Sequence, residues 1–384
     1  MKKKISILGA TGSIGTQTLD VIKNNLKYFE IVGLSAHKNV KKLQEQILEF
    51  NPKLVAVSTK ETQKIIHHFI KKNHLTTRVM HGKAALNTIA NEKQDMLVIA
   101  IIGTIALEPC INAIKNQTPI GLANKEILVA AGDIITSLVK KYKGKLIPID
   151  SEHAAIQQCI EKKNKKTIKK IILTASGGPF WNTPHSHFKK ITLKDALKHP
   201  TWSMGNKISI DSATMMNKGL EIIEAHHLFQ LPYTKIDAII HPQSIIHCLV
   251  EFIDGNTLAH LSPTNMKFPI QNALTYPNKV KNSWPKLNFN KLNNLNFYPP
   301  NPKKFPLLTL AYDVGKKGGS YPPAMNAAND IANALFCQNK LSFIQLQNII
   351  EEAIQTHTYT VPKTINDIIE IEKKTQEKIK KKYA

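Results

Sequence analysis

Arginine is almost missing from this chain. Of the 52 basic residues only Arg78 is an arginine, which leaves 51 lysines. A formal net charge of +24 invites a nucleic-acid reading. Base readout and bidentate phosphate grips, however, favour the planar guanidinium fork over the ammonium point charge. The lysines are also spread along the chain, with tight runs only at Lys162–Lys170 and Lys378–Lys382. The charge therefore reads as compositional, in a chain also rich in Ile and Asn, with incidental steering of anionic ligands. Nucleic acid is not expected as a partner, and the basic tail is expected to be a frayed, solvated end.

Cysteine is scarce as well. Cys110, Cys159, Cys248 and Cys337 lie far apart without CxxC spacing. They read as buried thiols in a reducing, cytoplasmic setting. No apolar run reaches the roughly 18 residues of a membrane helix, so no membrane partner is expected. The opening Met-Lys-Lys-Lys-Ile-Ser-Ile-Leu-Gly is broken at Gly9 and Gly12, too early for a secretory signal. Structure is expected from Lys4 on, without a transit segment before it.

What is there is a chain of 384 residues, long enough for two or three domains. Short apolar runs alternate with helical patterns over the first 150 residues. Strands are expected at Lys4–Leu8, Ile31–Ser35, Leu54–Val57, Arg78–His81, Met96–Ala100, Pro119–Leu122 and Lys145–Ile149. Helices such as Val40–Phe50 and Lys125–Tyr142 separate them. This alternation predicts an α/β fold with a parallel, doubly wound, Rossmann-like sheet. Residues 151–276 mix strands (Lys169–Ala175, Ile236–His241, His247–Phe252, Thr257–Leu261) with helices (Leu193–Leu197, Met216–Phe229), an α+β pattern. Residues 277–306, rich in Pro, Asn and Lys, read as a linker. Residues 307–384 read as a helical domain, with helices at Met325–Phe336, Ser342–Thr356 and Thr364–Lys382.

Gly9-Ala-Thr-Gly12-Ser-Ile-Gly15 follows the first strand and opens the first helix. Glycines there permit a tight turn and close backbone approach to a pyrophosphate resting on a helix N-terminus. A plain strand–helix turn of small residues is the other reading. An NAD site places an acid at the end of the second strand, for the ribose 2′-hydroxyl. Here that strand ends Ser35-Ala-His-Lys38-Asn39, and Glu30 stands at its opposite end. Lysine and asparagine suit a 2′-phosphate, so NADP is expected over NAD.

Asp150-Ser-Glu152 lies at the carboxyl end of the last strand of the first domain, where open α/β sheets bind ligands. If that segment is extended, residues two apart point the same way and the two carboxylates converge. Converging carboxylates repel unless a cation joins them. With Glu221 as third ligand, an oxygen-only set suits Mg²⁺ or Mn²⁺. In Asp211-Ser-Ala-Thr-Met-Met-Asn-Lys-Gly-Leu-Glu221, Lys218 and Glu221 share a helix face if the segment is helical. Lys218 suits a phosphate, and Ser212 and Asn217 add neutral partners near the start of that helix. A solvated ion pair is the plainer alternative. Ser176-Gly-Gly178 after a strand exposes a hydroxyl and N–H groups to an anion, or is a simple turn. His199-Pro-Thr-Trp202-Ser-Met204-Gly205 is a lid whose Trp202 and Met204 exclude water, or a surface loop pinned by one Trp. His241 and His247 stay unassigned, as core histidines.

With these segments in hand, the chain resembles the 1-deoxy-D-xylulose 5-phosphate reductoisomerase family. The matching motifs are Gly9–Gly15, Leu122-Ala-Asn-Lys-Glu126, Asp150-Ser-Glu152, Ser176-Gly-Gly-Pro-Phe180, His199–Gly205 and Ser212–Glu221. They run in family order over roughly residues 1–275. The resemblance implies a central catalytic domain and a metal-dependent rearrangement of a ketose phosphate by retro-aldol and aldol steps. Reduction by NADPH to 2-C-methyl-D-erythritol 4-phosphate follows, on the non-mevalonate isoprenoid route, in a homodimer. It implies that Lys125, Ser151, Ser176, His199, Ser212, Asn217 and Lys218 surround the sugar phosphate. It also implies that Thr11, Gly12, Ser13, Ile14, Ala36, Lys38, Asn39, Asn124, Glu126 and Gly205 contact NADPH. Three positions depart from the family pattern: Trp181 in place of a common arginine, Thr264-Asn265-Met266 in place of Pro-Asp-Met, and Asp330 in place of glutamate.

Two rivals stand beside this reading. Another NADP enzyme, of the semialdehyde dehydrogenase kind, needs a nucleophilic cysteine with a nearby base and an anion-binding arginine. No cysteine has that context and Arg78 is alone. A non-catalytic dinucleotide-sensing or nucleic-acid-binding protein has no use for clustered carboxylates.

Overall fold

A computed structural model of the chain describes residues 2–161, 163–202 and 204–383. Lys162, which opens one lysine run, and Ser203, within the expected lid, lie outside the described residues.

The described residues form two compact units, one drawn from residues 2–127, 135–154 and 265–283, the other from 128–134, 155–264 and 284–383. In the first, strands and helices alternate as the apolar runs predict. The order is β1 (Lys3–Leu8), α1 (Ser13–Lys23), β2 (Phe29–Ala36), α2 (Val40–Phe50), β3 (Leu54–Val57), α3 (Lys60–Lys72) and β4 (Arg78–His81). It continues with α4 (Lys83–Asn91), β5 (Met96–Ile99), α5 (Leu107–Lys115), β6 (Ile120–Leu122), α6 (Glu126–Tyr142), β7 (Leu146–Pro148) and α7 (Ser151–Ile160).

The strands make one parallel sheet in the order β4-β3-β2-β1-β5-β6-β7. The order turns at β1, so crossovers run outward in both directions, and ligands of such sheets sit at that switch point. Continuous apolar strands such as Leu97-Val98-Ile99 are buried on both faces, as a parallel sheet requires. The later segment 265–283 also belongs to this unit. Its helix is anchored by Lys3 Nζ donating to Leu274 O at 2.8 Å and by a Lys267–Asp20 ion pair at 3.1 Å.

The second unit holds β8 (Ile168–Ala175), α8 (Leu193–Ala196), α9 (Asn206–Ala213), α10 (Met216–Phe229), β9 (Ile236–Ile240), β10 (Ile246–Phe252) and β11 (Thr257–Leu261). Chain order then passes α11 (Lys267–Thr275), the helix of the first unit just described. The helices α12 (Pro306–Lys317), α13 (Tyr321–Cys337), α14 (Phe343–Gln355) and α15 (Ile365–Tyr383) follow. Its mixed sheet has the order β11-β10-β8-β9, with β8 and β9 parallel and β10 antiparallel to both its neighbours. Phe180, Phe188 and Phe343 meet in the core beneath, with ring centroids 5.2 to 6.1 Å apart. Each buried ring of this kind stabilises by about 1.5–3 kcal/mol. Phe180 thereby roots the turn that follows β8. No helix of the described residues is long and apolar enough to cross a membrane.

Candidate functional site

In the first unit the glycine turn is shaped by its backbone. Gly9 adopts φ +91°, and a Cβ there would lie 2.7 Å from Ala100 O. A Cβ on Gly15 would lie 2.1 Å from Gly9 O. Both positions therefore exclude every side chain. Gly9 N–H donates to Ser35 Oγ at 2.9 Å, Ala10 N–H to Ser35 O at 2.8 Å, and Gln46 Nε2 to Ala10 O at 2.9 Å. The turn is thus stitched to the end of β2 and to α2. Gly12 caps α1 without a side chain, and Gly12 and Ser13 are exposed, flanked by half-buried Thr11 and Ile14. No side chain caps the start of α1 at Gly12, and a helix N-terminus of this kind suits an anion.

The end of β2 at Ala36 leads to exposed Lys38 and Asn39, with exposed Glu30 at the far end of the strand. Asn39 caps α2, accepting from Lys42 N–H at 3.1 Å. Buried Asn124 donates to Ile101 O and, at 2.9 Å, to Gly103 O, and accepts from Ile127 N–H at 2.8 Å. It braces the loop after β5 against the start of α6, whose first residue is buried Glu126.

The Asp150 segment corrects one expectation. It is not extended: β7 ends at Pro148 and α7 begins at Ser151. Asp150 accepts from Ser151 N–H at 3.0 Å, and Ser151 Oγ donates to Glu152 in the first turn of α7. Carboxylates are favoured there because the helix N-terminus is positive. Lys125 Nζ reaches Asp150 Oδ2 at 2.8 Å, and His153 Nδ1 lies 3.8 Å from the same oxygen. Lys125, Asp150, Ser151 and Glu152 are therefore neighbours, although through a helix turn and not through strand alternation. His153, fully buried one turn beyond Asp150, went unnoticed in the sequence. Its three-residue spacing was the available signal.

In the second unit, β8 delivers Ser176 into a turn made by Gly177 and Gly178, both at positive φ. Ser176 Oγ accepts from Gly178 N–H at 3.2 Å and lies 2.9 Å from His199 Nε2. Ser212 Oγ lies 3.1 Å from the same nitrogen. The other ring nitrogen, Nδ1, accepts from Trp202 N–H at 2.9 Å and Thr201 N–H at 3.2 Å. Two donors on Nδ1 leave the ring proton on Nε2, where it is shared with the two serines. Burial pulls the His199 pKa down to about 4, so the ring is neutral at pH 7.

The Asp211–Glu221 run is not one helix. Met215, at φ +62°, separates α9 from α10. Ser212 therefore closes α9 and does not open the helix of Lys218, a second correction. Lys218 and Glu221 pair on α10 with side-chain exposures of 4% and 1%. Such burial excludes the solvated surface pair, and Asn217 also donates to Glu221. Glu224, one turn further and equally buried, was not foreseen although it repeats the three-residue spacing.

Trp202 and Met204 are half-buried, with the Trp202 ring edge-on to His247 at 6.4 Å, and Gly205 caps α9. His247 Nε2 bonds Ser262 O at 3.2 Å, and His241 Nδ1 bonds Asn296 O at 2.9 Å and stacks on Phe297. Both are buried core histidines, although His241 Nε2 has no hydrogen-bond partner.

The departures from the family pattern have local roles. Trp181 packs on Tyr298 with centroids 4.8 Å apart and over Gly177, where a Cβ would come within 2.7 Å of its own Cβ. Asn265 Oδ1 accepts from Lys267 N–H at 2.9 Å at the start of α11, a capping role an aspartate would share. Asp330 pairs with Lys207 at 3.3 Å. Among the cysteines, Cys110 is fully buried and its thiol is pushed up to about 12, which rules it out as a nucleophile.

Family models match three stretches of the chain. The 1-deoxy-D-xylulose 5-phosphate reductoisomerase model matches residues 5–132, and its C-terminal domain model residues 146–229. A further DXP reductoisomerase C-terminal domain model matches residues 261–378. The 1-deoxy-D-xylulose 5-phosphate reductoisomerase of Thermoanaerobacter pseudethanolicus is 47% identical over 99% of this chain and 99% of its own. That of Clostridium kluyveri is 45% identical over 100% of both chains. The Zymomonas mobilis enzyme, solved in complex with NADPH, matches with a TM-score of 0.93 at 38% identity, over 99% of this chain and 98% of its own. A DOX-P reductoisomerase solved with NADPH, fosmidomycin and magnesium matches with a TM-score of 0.95 at 37% identity, over 99% and 98%. Matched from end to end at such identity, and carrying the glycine turn, the acidic helix starts and the buried Lys218–Glu221 pair, the chain belongs to the 1-deoxy-D-xylulose 5-phosphate reductoisomerase family.

Proposed function

We propose that this chain converts 1-deoxy-D-xylulose 5-phosphate to 2-C-methyl-D-erythritol 4-phosphate, with NADPH and a divalent cation, in isoprenoid precursor synthesis. The observation that carries the reading is the buried Lys218–Glu221 pair on α10. An ammonium and a carboxylate taken out of water together are costly unless they serve further partners.

The residues fit the two groups the family uses. Gly9 and Gly15 leave a backbone cradle that any Cβ would fill, and no acid stands at the end of β2. Lys38 and Asn39 there favour the 2′-phosphate of NADPH, and Thr11, Gly12, Ser13, Ile14 and Ala36 line its path. Asn124, Glu126 and Gly205 complete the cofactor contacts. Asp150, Glu152 and Glu221 are the oxygen-only ligands that would hold Mg²⁺ or Mn²⁺. When bound, the cation supplies charge to the substrate's carbonyl and hydroxyl oxygens, and NADPH supplies a hydride.

The chain's own residues do the rest. Lys218, Asn217, Ser212 and Ser176 bind the phosphate. His199, neutral and protonated on Nε2, orders the two serine hydroxyls for it. Lys125 and Ser151 hold Asp150 and Glu152 in place beside the reacting end of the sugar. Trp202 and Met204 exclude water. The protein acts as a homodimer in the cytoplasm.

The test is NADPH consumption with 1-deoxy-D-xylulose 5-phosphate, with and without a chelator. Consumption that stops with chelator and returns with Mg²⁺ or Mn²⁺ is the expected result. No consumption at any metal concentration overturns the reading.

A further inference from the structure

Ser212 sits at the last turn of α9, an eight-residue helix. Helices this short are marginal on their own. Ile210 is its one large apolar side chain among the fully buried residues, so apolar burial fixes it weakly. Its neighbour Asp211 is 2% exposed and sits in a polar network that reaches over a hundred residues along the chain. Asp211 accepts from Lys207 Nζ at 3.0 Å, from Asn329 Nδ2 at 2.8 Å and from Asn333 Nδ2 at 2.9 Å. Asn333 Nδ2 also donates to Asn329 O, so the two amides of α13 act as one pair of pincers. Lys207 bonds Asp330 as well, at 3.3 Å. On the other side, a Cβ on Gly178 would lie 2.5 Å from Ser212 O. The end of α9 is therefore clamped between the glycine turn and α13.

We propose that Asp211 is a positioning residue for substrate phosphate, setting Ser212 Oγ against His199 and Ser176 through its bonds to Lys207, Asn329 and Asn333. The inference rests on the functional reading above and gives the C-terminal helices a part in it. Three donors converge on one carboxylate, so every shift of α13 is felt at the last turn of α9. An Asn at 211 turns one of its two acceptors into a donor facing donors, which displaces that turn without changing side-chain volume.

The experiment compares the full chain with D211N, S212A and the double variant by steady-state kinetics. D211N is expected to raise the KM for 1-deoxy-D-xylulose 5-phosphate about tenfold, the equivalent of about 1.4 kcal/mol. The kcat and the KM for NADPH stay within about twofold of the full chain's values, a split that a general loss of structure does not produce. In the S212A background D211N adds no further rise, because its effect runs through that hydroxyl. N333A, which removes one donor and leaves the carboxylate, is expected to shift the same KM about threefold. This keeps the test decisive if D211N folds poorly. Equal KM penalties from D211N or N333A in both backgrounds overturn the inference. So does a rise in both KM values together, or an S212A enzyme with unchanged KM. Wild-type turnover, measured alongside, separates the two levels. Its absence strikes the functional reading, whereas full turnover with additive penalties strikes only the role of Asp211.

Discussion

The glycine turn of the first unit and the serine–histidine cluster of the second both present themselves as anion sites, yet they are built from different material. The first is backbone. Gly9 and Gly15 leave no room for a Cβ, and the donors are the opening N–H groups of α1. The second is side chain. Ser176, His199 and Ser212 bond one another, and Lys218, Asn217 and Glu221 follow on α10. A backbone site tolerates substitution of its exposed side chains and fails when a glycine is filled. A side-chain site fails when any one charged partner is truncated, because the others are left buried and uncompensated.

That contrast puts the largest effect at Glu221. Gln in its place keeps shape and burial and removes the charge proposed to hold the cation. Turnover is expected to fall roughly a thousandfold while the dissociation constant for NADPH hardly moves. Fluorescence titration of NADPH alongside single-turnover kinetics measures both. Weakened NADPH binding with intact metal dependence would break the separation of cofactor binding from metal binding. Lys218→Ala comes next. It removes one partner of a buried, charge-assisted contact, and the KM for the sugar phosphate is expected to rise about a hundredfold. An unchanged KM removes Lys218 from phosphate binding.

The backbone site sharpens the comparison with a smaller effect. Lys38 is exposed, so water screens whatever it offers a 2′-phosphate. Lys38→Ala is expected to lower the preference for NADPH over NADH about fivefold, read from the ratio of kcat/KM values for the two cofactors. Equal use of both cofactors by the unaltered chain would mean that the end of β2 does not select.

Legibility in the sequence follows the same line. Strands such as Leu54–Val57 and helices such as Val40–Phe50 were readable to the residue, because apolar period and local capping decide them. The glycine turn was readable because its demand is local and steric. Two local readings failed where the chain breaks its own pattern. Asp150 leads straight into a helix with no loop between, and Met215 takes a left-handed conformation that no residue type announces. The binding of Asp211 to Asn329 and Asn333 was out of reach. Those residues lie 118 and 122 positions away, and nothing short of the fold brings them together.

His199 gives the finest test, because it joins backbone and side-chain recognition in one ring. Its Nδ1 accepts two backbone N–H groups of the 201–202 segment, and its Nε2 serves Ser176 and Ser212. A second proton has to enter at Nδ1, against two donors, and in a partly buried place. Burial is what draws the pKa from 6.5 to about 4. The unfolded chain takes up that proton near pH 6.5 and the folded chain only near 4, so stability is lost as the pH falls through that window and is constant above it. An NMR titration of the ring is expected to show a midpoint about 4, with Nε2 carrying the proton at pH 7. In His199→Gln the loss of melting temperature between pH 6.5 and 4 should be smaller than in the unaltered chain. A midpoint near 6.5 would mean that water reaches the ring freely. The serine pair would then be set by something other than the backbone of residues 201 and 202.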